Sequence, residues 1–201
     1  MPRTHECEHF VKQLHTDPVS PEIKMKPRPE YSKLAFRSFY IDGRPIVSAT
    51  ESEVMRWENQ LALNFPEDYR DFLLHENGGA LPDDRHFVFS AKGQVWRVVW
   101  FLNFSLKNKF ALQPSSWKDM SPALPKFVFA ICRIDDPGDI MGVFISLDRN
   151  YPGVYIIFTN YECGPDASPA AFFGDPAVVK ISDSFSDFVN RLIEQAGRSM
   201  Q

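Results

Sequence analysis

Three apolar segments in the second half of the chain follow one another too closely for helices to join them. They span residues 127–132, 143–147 and 154–159, and each is rich in β-branched and aromatic side chains. Turn sequences separate them: Asp136-Pro-Gly-Asp139 first, then Asn150-Tyr-Pro-Gly153. Because a parallel crossover needs a dozen or more residues, this spacing predicts the strands of an antiparallel meander.

A short helix is predicted well upstream of these strands. Thr50 and Glu53 have the spacing of a capping box, in which the Thr hydroxyl accepts a backbone N–H and the Glu side chain reaches back to the cap. Val54, Trp57 and Leu61 then give the helix one apolar face.

A second helix is predicted to begin at Pro66, whose missing N–H suits the first helical turn. Its buried stripe consists of Tyr69, Phe72 and Leu73. The helix is expected to end at Asn77-Gly78-Gly79, because glycine readily adopts the left-handed conformation of a helix cap. The two helices together predict a short helical hairpin.

The remaining segments complete a mixed fold. Residues 95–104 and 178–181 are predicted to be strands, and residues 164–176 form a loop rich in Gly and Pro. A clean helical face closes the chain, formed by Phe185, Phe188, Val189, Leu192 and Ile193. Helices first, a sheet next and a helix last predict an α+β fold.

Residues 1–45 are predicted to be an extension in front of an α+β domain that spans residues 46–201. A short helix around residues 10–14 opens the extension, and four prolines make residues 17–30 a stiff, extended linker. Residues 34–41 are predicted to be an edge strand that ends at the Asp42-Gly43 turn.

The composition predicts a soluble cytoplasmic protein. The chain has 201 residues with a hydrophobic fraction of 44%, enough to bury a core without disulfides or metals. No apolar run approaches the ~20 residues that span a bilayer, and the first residues carry no hydrophobic signal region. Cys7, Cys132 and Cys163 are an odd number of cysteines at unrelated spacings, which suits free thiols in a reducing compartment.

Charge is unevenly distributed along the chain. Residues 92–133 hold seven Lys or Arg and one acid, whereas residues 134–190 hold nine acids and two bases. Such a division can polarise the surface and steer a charged partner. The alternative is that adjacent strands bring the opposite charges side by side, so that they cancel.

Motifs of common enzymes are absent from the sequence. There is no P-loop, dinucleotide-binding glycine pattern, GxSxG elbow or HExxH zinc motif. His5-Glu-Cys7-Glu-His9 offers zinc-type ligands but lacks a fourth, and Asp135-Asp136-Pro-Gly-Asp139 does not match the spacing of a calcium loop. We therefore expect a polar terminus and a solvated acidic turn, with no bound metal and no cofactor.

Two further features have structural explanations. His75 ends the second helix, where an imidazole gains from the negative end of the helix dipole. Trp96 and Trp100 could stack on nucleic acid, but regular strand alternation places them on a core-facing side with Phe104, opposite Phe101. We expect no direct binding of nucleic acid.

Four motifs in order resemble the SUKH superfamily, which includes Syd-like and cell-wall-assembly-regulator-like domains. The first is the helical hairpin with Asn64-Phe-Pro66, Tyr69, Phe72-Leu73 and Glu76-Asn-Gly-Gly79. The others are Phe129-Ala-Ile with Gly138-Asp139, then Leu147-Asp148 with Gly153-Val-Tyr155, and finally the closing helix with Ser184-Phe185 and Phe188. The resemblance covers about residues 48–195. Asn64 departs from the glycine that the superfamily often has before its proline, which leaves the subfamily open.

The resemblance implies a curved antiparallel sheet flanked by the helical hairpin and the closing helix. It also implies a non-catalytic immunity protein that binds and neutralises a cognate toxin domain, for example a nuclease. The alternatives are a regulatory module with an endogenous partner, a ligand-binding domain, or a hydrolase. From their charge, we predict that eight acids contact a protein partner: Glu76, Asp83, Asp84, Asp135, Asp136, Asp139, Asp183 and Asp187.

Overall fold

A computed structural model describes residues 28–36, 40–41, 44–45, 47–83, 85, 87–102, 124–135 and 140–198. Its helices are α1 (Glu51–Leu61), α2 (Glu67–His75), α3 (Pro169–Gly174) and α4 (Phe185–Arg198), preceded by a 3-10 turn (Tyr31–Leu34). Its strands are β1 (Tyr40–Ile41), β2 (Arg44–Pro45), β3 (Gly79–Ala80), β4 (Val88–Ala91), β5 (Gln94–Phe101), β6 (Val128–Ile134), β7 (Ile140–Ser146), β8 (Val154–Phe158) and β9 (Val178–Ser182). The predicted α+β class is confirmed.

The capping box at the start of α1 is confirmed. The Thr50 hydroxyl accepts the backbone N–H of Glu53 at 3.3 Å, and the Glu53 carboxylate accepts the backbone N–H of Thr50 at 2.9 Å. The apolar face is also present, because Val54 and Trp57 are buried. Local sequence therefore fixes the first residue of α1 and the face that it turns to the core.

The helix stop after α2 is confirmed as well. Asn77 and Gly78 both have a positive φ, of 54° and 82°. A Cβ on Gly78 would lie 2.5 Å from the carbonyl oxygen of Leu102, so a larger residue would be strained and would also clash with backbone. The tight stop lets β3 follow α2 immediately, and β3 pairs with the end of β5.

The meander is confirmed as the centre of the fold. A seven-stranded sheet has the order β3-β5-β6-β7-β8-β9, with β4 paired to β5, and all of its pairings are antiparallel. The sequence prediction missed β3 and β4, both of which are short. It also placed a loop over residues 164–176, where Ser168 caps α3 by accepting the backbone N–H of Ala171 at 3.3 Å.

A bulge in β5 overturns the predicted alternation of its side chains. Pairing with β6 shifts register between Val98 and Trp100, so the extra residue moves Phe101 onto the same face as Val98. Phe101 is completely buried, whereas Trp100 is only partly buried. Of the two tryptophans that were expected to face the core, Trp96 does so and contacts the ring of Phe158.

Helices cover both faces of the sheet. Phe129 on β6 packs against Trp57 of α1 and pairs in register with Ile145. The neighbouring Phe144 therefore points to the opposite face, together with its register partner Tyr155. Tyr155 lies 4.7 Å, between ring centroids, from Phe173 of α3. The hairpin of α1 and α2 thus covers one face with α4, and α3 covers part of the other.

The segment before α1 contributes to the same core. Tyr31 and Leu34 are 4% and 0% exposed, and the ring of Phe36 contacts Phe72 and Phe101. The predicted edge strand over residues 34–41 is wrong in its first residues, because Leu34 belongs to the 3-10 turn. Only β1 forms a strand in the described part of that segment, and it pairs with β2 in a separate ladder.

The predicted helix at residues 10–14, and the linker as far as residue 27, lie outside the described residues. None of the helices in the described part of the chain combines the length and apolar content that crossing a bilayer requires.

Candidate functional site

Two of the acids predicted to contact a partner flank one arginine. Arg97 on β5 lies 3.8 Å from the carboxylate of Asp83 and 3.6 Å from that of Asp135. Its guanidinium also donates to the backbone carbonyl of Asp83 at 3.0 Å. Asp83 and Asp135 remain well exposed, but a cation already compensates their charge. Here opposite charges lie side by side and offset each other, as the alternative interpretation of the charge distribution predicts.

Asp183 and Asp187 lie at the other end of the sheet. Asp183 follows β9 and forms an ion pair of 2.9 Å with Lys180. Asp187 lies in the first turn of α4, where a carboxylate favours the positive end of the helix dipole. Burial, with a contribution from Asp183, raises the pKa of the nearby Tyr155 to about 12.

The other predicted acids are only partly described. Glu76 ends α2 and is half-buried, and this burial raises the pKa of its carboxyl group. Asp84, Asp136 and Asp139 lie outside the described residues.

Two of the predicted acids that the structure describes, Asp135 and Asp183, lie at opposite ends of the sheet. Asp135 lies where β6 ends, and Asp183 lies where β9 ends, beside the start of β8. In the antiparallel meander these positions are separated by the length of β7. Its seven residues correspond to roughly 20 Å. The sequence grouped these acids by charge alone, whereas the topology separates them.

A cleft opens at the end of the sheet that carries the β7–β8 turn. We call this region the hairpin end; it comprises the α1–α2 elbow (residues 58–67), the β7–β8 turn (residues 146–153) and the start of α4. The cleft has a volume of about 540 Å³ and continues into a second hollow of about 640 Å³. The two hollows share the lining residues Glu58, Asn64, Leu147, Asp148 and Arg149.

One wall of the cleft is a network of charged residues on the helical hairpin. The Glu58 carboxylate accepts the backbone N–H of Phe65 at 3.0 Å and lies 3.6 Å from Arg70. Arg70 on α2 also forms a bidentate ion pair with Glu51 on α1. This pairing raises the pKa of Arg70. The network links α1 to α2 along this wall.

The β7–β8 turn forms the opposite wall. The Asp148 carboxylate accepts the backbone N–H of Asn150 at 2.8 Å, and the buried Ser146 hydroxyl accepts that of Asp148 at 3.2 Å. Gly153 closes the turn with a φ of 132°, and a Cβ there would clash with the backbone of Ser182. The turn therefore packs closely against β9 at Gly153.

The other sites considered from the sequence have local explanations or lie outside the structure. His75 is the last residue of α2, and its Nδ1 lies 3.3 Å from the carboxylate of Asp71, one helical turn away. Among the described residues, no group of three His, Cys, Asp or Glu could hold a metal ion. His5, Cys7 and His9 are not described.

Sequence reasoning missed the cleft because its walls come from segments about eighty residues apart. The signal that could have revealed the cleft was the resemblance to the SUKH superfamily. Asn64-Phe-Pro66 and Leu147-Asp148 are two of its motifs, and both line the cleft.

The sequence matches a family of known proteins over most of its length. Residues 48–191 match the family described as SMI1/KNR4 (SUKH-1). No match was found among curated proteins. The matched region begins just before α1, includes both walls of the cleft and ends within α4. The chain therefore belongs to the SMI1/KNR4 family (SUKH-1).

Proposed function

We propose that this protein is a non-catalytic immunity protein of the cytoplasm that binds and neutralises a cognate toxin domain. The observation that carries the proposal is membership of the SMI1/KNR4 family over residues 48–191. The resemblance to the SUKH superfamily implies this role, and the match covers the sheet and its flanking helices.

The mechanism would be occlusion of the toxin's active site. A stable complex of this kind buries about 800 Å² on each partner. Acidic side chains meeting a basic active-site rim, as in a nuclease, would act mainly on the association rate and would be screened by salt. The eight predicted acids remain proposed contacts, and the two ends of the sheet offer two separate surfaces for them.

The lining of the cleft is compatible with a binding surface. None of the described residues that line it is His or Cys, and the hydroxyl of Ser146 is buried and engaged with the backbone of Asp148. Arg70 and Glu58 are paired with each other on the helical wall. A hydrolytic site built on Ser, Cys or His would instead need a free nucleophile beside a base.

The experiment is affinity capture in which the purified 201-residue chain is the bait. The proteins encoded by neighbouring genes are the candidate partners. The proposal predicts a stable one-to-one complex with a toxin domain, and loss of the toxin's activity in that complex. Capture of an endogenous regulator alone would support the regulatory alternative. Turnover of a substrate by the chain itself would support the hydrolase alternative.

A further inference from the structure

The cleft at the hairpin end combines an apolar surface with carboxylates. Pro66, Leu147 and Pro152 supply apolar lining, and Glu58, Glu67 and Asp148 supply the acids. We propose that this cleft receives an arginine side chain from the protein partner. The inference rests on the proposed function and identifies the part of the surface that recognises the partner.

An arginine side chain fits the two kinds of lining. Its aliphatic stem is stabilised by contact with apolar surface while its charged head stays near water or acids. Its planar guanidinium can donate to two carboxylates at once. A side chain that is wholly apolar would leave the carboxylates of the cleft without partners.

Two of the carboxylates have capacity for a new partner. Glu67 is exposed and makes no ion pair with any described residue, and Asp148 engages one of its oxygens with the N–H of Asn150. Glu58 contributes negative charge from deeper in the cleft, since its side chain is only 12% exposed. The negative charge is thus distributed along the cleft from Glu58 to its two edges.

The two cations that line the cleft, Arg70 and Arg149, do not reverse its preference for a positively charged guest. Arg70 is already paired with Glu51 and Glu58. Arg149 is exposed and has no carboxylate partner among the residues that the structure describes, so it opposes a basic guest and would favour an acidic one. Replacement of Arg149 by a neutral residue should therefore strengthen the binding of a basic guest and weaken the binding of an acidic one.

The test uses a defined probe and needs no knowledge of the partner. The full-length ¹⁵N-labelled chain is titrated with N-acetyl-arginine amide, and separately with the citrulline and glutamate analogues. Citrulline has nearly the same shape as arginine but carries no charge. The inference predicts saturable amide shifts for Asn64, Glu67 and Asp148 with the arginine compound, and much smaller shifts with the other two.

Three variants make the test specific. Glu67→Gln should weaken arginine-amide binding roughly fivefold, as loss of an exposed charge pair does. Arg149→Ala should strengthen it about twofold or more. Glu162→Gln, a matched control on an exposed residue after the far end of β8, should leave it unchanged.

Several results would overturn the inference. They are stronger shifts with the glutamate compound, weaker binding by Arg149→Ala, or no saturable shift at the cleft up to the solubility limit of the arginine compound. Because the titration involves no toxin, a failed capture experiment would count against the immunity proposal alone. A captured toxin together with a failed titration would count against the cleft alone.

Discussion

The carboxylate of Asp68 in α2 accepts the backbone N–H of Ser186 in α4 at 2.8 Å, joining residues 118 positions apart in the chain. The other oxygen of the same carboxylate accepts the N–H of Tyr69 at 2.9 Å. One side chain therefore satisfies backbone donors at the starts of two helices. This contact holds the α1–α2 elbow and the start of α4 together at the hairpin end.

Asp68→Ala should destabilise the protein by about 1–3 kcal/mol, because a partly buried N–H loses its acceptor. Glu67→Gln changes the preceding residue, which is exposed, and should alter the unfolding free energy by less than about 0.5 kcal/mol. Urea unfolding of the two variants measures the difference. Equal stabilities would show that the Asp68–Ser186 contact does not hold these helices.

The predicted boundary between residues 45 and 46 is open to test. Leu34 is 0% exposed, and Leu34→Ala should cost about 2–5 kcal/mol, as for other fully buried leucines. We therefore propose that the compact unit includes the 3-10 turn at Tyr31–Leu34. A chain that starts at residue 46 should melt at a clearly lower temperature than one that starts at residue 28. Identical melting of the two chains would restore the boundary at residue 46.

Phe188→Ala should cost about 3–5 kcal/mol of stability, because the side chain is 1% exposed and its ring packs against Phe89 and Phe101. Glu194→Ala, on an exposed position of the same helix, is the control and should have little effect. A loss below about 1 kcal/mol for Phe188→Ala would mean that α4 does not anchor the sheet.

The Asp175 carboxylate predicts a pH dependence of stability. It accepts the backbone N–H of Ala177 at 2.7 Å and the thiol of Cys163 at 3.4 Å, and the bond from Ala177 is the main cause that lowers the pKa of Asp175. A lowered pKa in the folded state gives stability above the unfolded-state pKa, and this is lost as the pH falls through the folded-state pKa.

The melting temperature of Asp175→Asn should therefore be a few degrees below wild type at neutral pH. The difference in melting temperature should disappear at pH values low enough to protonate Asp175 in the wild type. Thermal melts across an acidic-to-neutral series measure this. A gap that is constant with pH would indicate loss of packing and not loss of charge.

Much of the fold was predictable because its signals are local. The capping box at Thr50, the stop at Gly78 and the turns between strands each act within a few residues. The bulge before Trp100 was not predictable, because it depends on how β5 pairs with β6. Helix α3 was missed because only six residues follow its Ser168 cap, too few to show a helical period.

The candidate site depends on contacts that are distant in sequence. Asp135 and Asp183 belong to one acid-rich segment of the chain, but the antiparallel path of β7 sends them to opposite ends of the sheet. The cleft forms only when the α1–α2 elbow meets the β7–β8 turn. No periodicity in either segment signals that meeting.

The central proposal is that the protein neutralises a toxin, and growth protection tests it most directly. Each candidate toxin domain encoded by a neighbouring gene is produced in cells with wild-type chain, with Glu67→Lys, or with Glu162→Lys as a matched control. The account predicts that the wild type and Glu162→Lys restore growth, and that Glu67→Lys, while still folded, protects poorly. Failure of the wild type to protect against any neighbouring toxin domain would contradict the proposed function.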